Sequence, residues 1–414
     1  MGKLHLDSFM SLSDMFEAMD AVASDRCDEI YLDCIDVDLP TAAAITQFLL
    51  HSDTQTMWKS IEIEECTGEA FEALLAVIFT CKVNKIKLSA VALGPLSEQS
   101  MLTVALGMQS NQHLNKLILS MSLPVESATW LSKGLSNLAA LRSFSLWDCT
   151  LTAPAAEILT QGLSRASTLQ EFALVACGLC EDRLRTILGA FSESCFLRQL
   201  DLRCCLASSL SPVVRLLERN SSLQTLDLSF QSGSEDGLDV AILHDALRDH
   251  PTLQNLHICR NYIGDAGFDS LLDAIQTSTS LQLLNLSLNS ITCVQNLADR
   301  LANNGLRIKR ILLDGNPIQD PTPLVQTLST NNSTLETCQI PQHFEKEQLL
   351  LHYYTRLNRG GRRLVLGHES PKSNLWPLVF ARANRLEFDN YPNSIGRAEV
   401  IYCLLHGPIF FPVG

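Results

Sequence analysis

Aliphatic residues return along this chain with a fixed internal spacing. LRSFSLWDCTL from Leu141 aligns with LQEFALVACGL from Leu169, LRQLDLRCC from Leu197 and LQTLDLSF from Leu223. LQNLHICRNYI from Leu253, LQLLNLSLNSI from Leu281 and IKRILLDGNPI from Ile308 continue the series. Apolar residues hold the first, fourth and sixth positions, and Cys or Asn usually holds the ninth. Fainter copies begin at Leu114, Val83, Trp58, Cys27 and Met1, and a last one, LETCQIPQH, begins at Leu335. That makes about 13 units of about 28 residues, within the 20–29 range of leucine-rich repeats.

Each unit has two halves. The Leu-x-Leu alternation predicts a short strand with one buried face. The longer half carries helical spacing, as in Phe268, Leu271, Leu272 and Ile275 or in Leu184, Ile187, Leu188 and Phe191, which makes one apolar stripe. No unit of this size covers its own stripe, so neighbours must stack. The expected fold is an α/β solenoid, a curved leucine-rich-repeat horseshoe. A parallel β-sheet forms its concave face, helices form its convex face, and a small α-helical C-terminal cap closes it. The expected division is 1–344 for the array and 345–414 for a helical capping region.

The spacing, the helix in every unit and the LxxLxLxxC/NxL alternation resemble the ribonuclease-inhibitor-type leucine-rich repeats over roughly residues 1–344. That class includes the repeat regions of NOD-like receptors and of Ran GTPase-activating proteins. The resemblance is specific for fold and weak for function, because one scaffold hosts many partners. The tail, with LNRGGRRL, LWPLVFARAN and VIYCLLHGP, resembles the tails of uncharacterised repeat proteins from diatoms and related algae.

Cysteine is the first candidate chemistry. The ninth position holds Cys66, Cys149, Cys177, Cys205, Asn261, Asn289 and Asn316. There the chain leaves the strand with backbone groups unpaired, and a small polar side chain in the turn bonds them, once per unit. This structural ladder accounts for Cys177-Gly-Leu-Cys180, which otherwise has redox spacing. No second CxxC or close His pair completes a metal set, no Ser or Cys nucleophile is paired with a histidine, and no phosphate-binding GxxxxGK[ST] loop occurs. Neither a cofactor nor enzymatic activity is expected.

Charge narrows the partner. The chain of 414 residues carries 31 Lys and Arg against 45 Asp and Glu, a formal net charge of −14. Nucleic acid is disfavoured on that balance, since phosphate binding needs a basic footprint. No apolar run reaches bilayer length; FEALLAVIF, Phe71 to Phe79, is too short, so no membrane association is expected. The N-terminal residues show no secretion signal, which makes the 14 cysteines free thiols of a cytoplasmic protein, monomeric alone. The glycosylation-type matches at Asn220, Asn285, Asn331 and Asn332 then carry no meaning.

Strand alternation puts the third, fifth and seventh residues on the inner face, with the eighth beside them. Early units then present an acidic patch with one aromatic, including Tyr31, Glu62 and Glu64, followed by a basic stretch at Lys85, Lys87 and Lys116. The middle presents Ile118, Met121, Trp147, Asp148 and Arg203, and later units Phe230 and Arg260. Trp and Arg dominate binding hot spots. The partner-binding candidates are therefore Tyr31, Glu62, Glu64, Trp147, Asp148, Arg203, Phe230 and Arg260. The inserted QSGSEDG, Gln231 to Gly237, adds a rim loop.

After His343 the repeat stops. A helix is expected over Glu345–Arg359, a second from Trp376 and a third from Ser394 to about His406. Residues 345–414 hold 9 basic and 6 acidic residues, leaving 22 and 39 for the array. Arg356, Arg359, Arg362 and Arg363 form a basic cluster there. The function these features favour is an inhibitor- or receptor-like scaffold binding a basic protein on the concave face. The alternative is a Ran-type GTPase-activating protein, which calls for a rim arginine or asparagine in the early units.

Overall fold

The computed structural model describes residues 2–23, 27–51, 58–90, 95–193, 196–205, 209–231, 238–248, 250–276, 278–303, 305–362 and 376–385. Two compact units emerge, Met1–Leu223 and Gln224–Gly414. The inserted loop at 232–237, Arg363 and the helix expected from Ser394 lie outside the described residues.

In the first unit the strands are β1 (Gly2–Asp7), β2 (Cys27–Asp33), β3 (Trp58–Glu64) and β4 (Val83–Ser89). They continue with β5 (Lys116–Ser120), β6 (Ser143–Trp147), β7 (Glu171–Val175) and β8 (Gln199–Asp201). Each pairs in parallel with the next in sequence order. Parallel neighbours need a crossover connection, and a helix supplies each one. These are α1 (Leu12–Ala23), α2 (Leu39–His51), α3 (Phe71–Thr80) and α4 (Glu98–Ser110), then α5 (Val125–Leu135), α6 (Ala153–Leu163) and α7 (Glu181–Gly189), and α8 (Ser211–Arg219) follows β8.

The register explains the leucine pattern. Leu4, Ile30, Ile61, Ile86, Leu117, Phe144, Phe172 and Leu200 face one another strand after strand, all buried. Burying one such side chain contributes about 1.5–3 kcal/mol, so an aspartate at Leu117 would break the row. Helix starts are set locally: Thr152 caps α6 by accepting from the Ala155 N–H, and Pro154 sits in its first turn. Helix neighbours approach closely where a side chain is missing. A Cβ on Gly162 of α6 would lie 2.6 Å from the Ser132 Cα on α5.

The second unit repeats the scheme with shorter strands. They are β9 (Thr225–Asp227), β10 (Asn255–His257), β11 (Leu283–Asn285), β12 (Arg310–Leu312) and β13 (Thr337–Gln339), parallel in sequence order. Between them lie α9 (His244–Arg248), preceded by a turn of 3₁₀ helix, then α10 (Asp265–Ile275), α11 (Gln295–Ala302) and α12 (Thr322–Thr330). Phe268, Leu271, Leu272 and Ile275 are the buried face of α10. Past β13, α13 (Glu345–Arg359) packs on β13 and α12, and α14 (Trp376–Arg385) packs on α13. The chain is an α/β leucine-rich-repeat solenoid with a helical C-terminal cap.

Candidate functional site

On the strand face of the first unit, the side chains of β1 to β4 form one charge network. Glu62 accepts from Lys85 at 2.7 Å, and Glu64 lies 3.7 Å from Lys87. Glu29 is paired with Lys59 on β3. The Tyr31 hydroxyl donates to Glu64 at 2.6 Å, and that hydrogen bond raises the phenol above its ordinary value. Burial raises the Glu62 carboxyl, but the Lys85 hydrogen bond and charge outweigh it and hold the group below its usual range. The expected acidic patch and basic stretch therefore meet at β3 and β4, where their edges are paired. The inward positions of β1 to β5 hold five carboxylates (Asp7, Glu29, Asp33, Glu62, Glu64) and four lysines (Lys3, Lys85, Lys87, Lys116), with Lys59 reaching Glu29 from the neighbouring position. Register sets Glu62 opposite Lys87 across β3 and β4, whereas Asp7, Asp33 and Glu64 stand in one row of like charge, as do Lys85 and Lys116.

Further along, the face loses its charge. Ser89, Ser120, Ser143 and Ser145 are buried, and Trp147 is half-buried beside them. Ser89 is the cross-strand partner of Ser120, and Ser145 that of Ile118. Two expectations fail at this point. Ile118 is 3% exposed and Met121 is fully buried, so neither is presented to a partner. Alternation assigns a side but not a depth, and Ile118, set between Lys87 and Ser145, is covered on its own face. The Trp147 Nε1 is buried and has no hydrogen-bond partner among the described residues. Leaving such a donor unpaired costs about 1–3 kcal/mol, which makes it a poor choice for a merely structural position.

The strand exits share an unexpected backbone. Cys34, Glu65, Asp148, Ala176 and Cys204 in the first unit, and Phe230, Arg260, Leu288 and Gly315 in the second, all have φ between 48° and 71°. Each is the eighth residue of its repeat. Only Gly315 has the residue type that such a conformation favours. The signal was present in the sequence as the lone Gly of DGNPI, but the other exits mask it. Phe230 is 37% exposed with the Arg260 guanidinium 5.4 Å from its ring, and Leu288 is 46% exposed.

The eight candidates fall into separate groups. Tyr31, Glu62 and Glu64 are joined in the network above. Trp147 and Asp148 lie three strands beyond Glu62 and Glu64, and Asp148 is exposed. Arg203 forms an ion pair with Asp201 at 2.7 Å, so its charge is balanced within its own strand exit. Phe230 and Arg260 stack on each other in the second unit.

The ninth residues are all buried and all bond backbone. The Cys66 thiol donates to the Leu32 and Glu64 carbonyls, and Cys149 to those of Leu119 and Trp147. Cys177 donates to Leu146 and Val175, and Cys205 to Leu174. Asn261 donates to Leu228 O, Asn289 to Ile258 O and Leu286 O, and Asn316 to Leu286 O and Leu313 O. Burial pushes the Cys66 thiol up to about 11. Cys180, the partner in the CxxC spacing, is exposed at the start of α7. Among the described residues, no cluster of three or more His, Cys, Asp or Glu is arranged to hold a metal ion.

A second ladder, with no signature in the leucine pattern, runs along the strand entries. Asn111, Asn220, His250, Ser278 and Asn332 each stand three residues before the first leucine of a unit and accept from that leucine's N–H. Asn111, Asn220 and Asn332 also donate to the preceding unit, at Phe79 O, Phe191 O and Leu301 O. Two of the glycosylation-type matches, Asn220 and Asn332, are thus buried structural amides.

In the tail the basic cluster dissolves. Arg356 is buried and donates to Ala383 O, and Arg362 is buried and donates to Leu328 O and Ser329 O. Of the described cluster members, only Arg359 borders an open groove. Helix periodicity disperses residues that sequence proximity had grouped. Among the described residues, no helix is long and apolar enough to cross a membrane.

No family model and no curated protein matches this sequence. Among solved structures, the chain is similar to one in a TLR13–ssRNA13 complex at 16% identity and TM-score 0.34, over 64% of this chain and 40% of that one. It is also similar to one in the Toll–Spatzle complex of Drosophila at 14% identity and TM-score 0.38, over 80% of this chain and 41% of that one. The chain thus spans about two fifths of each of these two solved chains.

Proposed function

We propose that the chain is a non-catalytic protein-binding scaffold of the ribonuclease-inhibitor type, with the strand face of its first unit as the docking surface. The observation that carries this is Trp147, a half-buried indole with an unpaired donor, next to a run of short serines. Large aromatics set beside shallow polar ground are the usual anchors of protein interfaces. Five carboxylates beside four lysines on one face favour a partner with its own mixed pattern, and paired lysines make a poor track for a phosphodiester backbone. The preference for a basic partner rests on the wider array, with 39 acidic against 22 basic residues over 1–344. Twelve described cysteines are free, which supports a reducing, cytoplasmic setting.

The test is affinity capture with wild type and Trp147→Ala, with a photo-crosslinker placed at Ser145. Loss of an anchor of about 2 kcal/mol lowers partner affinity roughly 30-fold. Equal recovery of the same proteins by both chains, or crosslinks absent from position 145, removes the strand-face proposal. The GTPase-activating alternative has less support, since the first 110 residues hold a single arginine, Arg26. Accelerated GTP hydrolysis by an added small GTPase would reinstate it.

A further inference from the structure

The second unit contains a basic groove in an acidic protein. It lies where the entries to β12 and β13 meet the end of α13 and the side of α14, with a volume of about 550 Å³. Arg307, Lys309, Arg359 and Arg382 line it, and Glu336 is the carboxylate among them. Glu336 is 3.9 Å from Lys309, which leaves the lining at four positive charges against one negative. Arg359 is fixed in place by donating to Glu336 O at 2.7 Å and Thr337 Oγ1 at 2.8 Å. Arg307 and Arg382 make no hydrogen bond or ion pair with any described residue.

The groove also contains Asn358, which is 6% exposed. Its Nδ2 donates to Leu335 O at 2.8 Å and Asn332 O at 3.4 Å, which extends the strand-entry ladder one rung past the last repeat. In that ladder the amide oxygen accepts the N–H groups two and three residues ahead, as at Asn332. After Asn358 the chain turns away at Gly360 and Gly361 instead, and the Asn358 Oδ1 has no donor among the described residues. A buried acceptor left open costs free energy comparable to a lost hydrogen bond, unless something from outside supplies a donor.

We propose that this groove binds a small phosphorylated compound that carries a hydroxyl or amino donor. The guanidinium groups of Arg307, Arg359 and Arg382, with Lys309, meet the phosphate, for which planar forked donors suit the oxygens. Asn358 Oδ1 accepts from the ligand's hydroxyl or amine. The volume lies in the range of small-molecule sites, which favours a compact ligand over a polymer. This site is independent of the strand-face reading, since every residue in it belongs to the second unit.

Calorimetric titration with ribose 5-phosphate, inorganic phosphate and a single-stranded RNA tests it. Ribose 5-phosphate is expected to bind tighter than about 1 mM, and about tenfold tighter than inorganic phosphate because only the sugar offers donors to Asn358. Arg307→Ala/Arg382→Ala, two exposed positions, is expected to reduce that affinity at least tenfold, while Lys116→Ala in the first unit leaves it unchanged. Bound ribose 5-phosphate is expected to protect Lys309 from acetylation. The proposal is overturned if ribose 5-phosphate shows no saturable binding, if inorganic phosphate binds equally well, or if RNA binds through these arginines while the sugar phosphate does not.

Discussion

Asn289 serves four backbone groups with one side chain, and that makes its truncation a sharp test of the ladder. Its Nδ2 donates to Ile258 O and Leu286 O, each at 2.9 Å, and its Oδ1 accepts from Asn261 N at 2.9 Å and Ile263 N at 3.2 Å. In Asn289→Ala the Leu286 carbonyl keeps its bond from Asn316, but two buried N–H groups and the Ile258 carbonyl lose theirs. At about 1–3 kcal/mol for each orphaned group, the expected loss is about 4 kcal/mol, against about 0.5 kcal/mol for an ordinary surface change. Stacked repeats open locally, so amide hydrogen exchange is the appropriate assay. The Asn261 and Ile263 amides should exchange faster by roughly three powers of ten. Asn289→Cys should fall between wild type and alanine, since a thiol still donates but accepts weakly. A change below tenfold at both amides would refute the account, because the oxygen of Asn289 would then not be what holds them.

Three further outcomes follow from the geometry. The Arg183 backbone and guanidinium lower the Cys180 thiol, while a hydrogen bond to Asp33 raises that of Cys34. Iodoacetamide at about pH 8 should therefore alkylate Cys180 before Cys34 and leave buried Cys66 and Cys149 untouched, as peptide mapping will show. Burial, together with the charges of Arg356 and Arg359, holds His352 below the ordinary imidazole value. The unfolded chain binds a proton that the folded one resists, so stability is complete above about pH 6.5 and falls as pH drops through it; His352→Gln should flatten that slope in urea melts. Gly315 has φ of 71°, and a Cβ there would lie 2.4 Å from the Leu288 Cδ2. Gly315→Ala should cost about 1–2 kcal/mol by thermal melting, with Leu288→Ala recovering only the steric part.

The solenoid was legible because stacking forces every unit to place the same apolar residues at the same offsets. Leu117 and Phe144 face each other since both are fourth residues. The ninth-position rungs were legible for the same reason. The state of the inner face was not. Glu62 and Lys85 fall in two patches along the chain, and only the pairing of β3 with β4 brings them into diagonal contact. Ile118 lies on the expected side of its strand yet is buried, because exposure depends on the reach of its neighbours. Asn220 and Asn332 fit a glycosylation pattern in sequence, and only their place before a strand shows them as ladder amides. Arg356 and Arg362 show the reverse error, since charge in a tail suggests solvent while these two side chains tie α13 to its surroundings.

The ninth-residue ladder also sets the lengths in which this protein can be edited. Asn261, Asn289 and Asn316 each reach back to a carbonyl of the unit before, at Leu228, Ile258 and Leu286. Excising the 28 residues from Tyr262 to Asn289 joins Asn261 to Ser290 and offers Asn316 the Ile258 carbonyl in place of Leu286. The shortened chain keeps every rung matched, whereas a cut a few residues longer or shorter slips one asparagine off its carbonyl. Whole repeats are thus interchangeable modules, and gain or loss of single residues is tolerated only in the connecting loops.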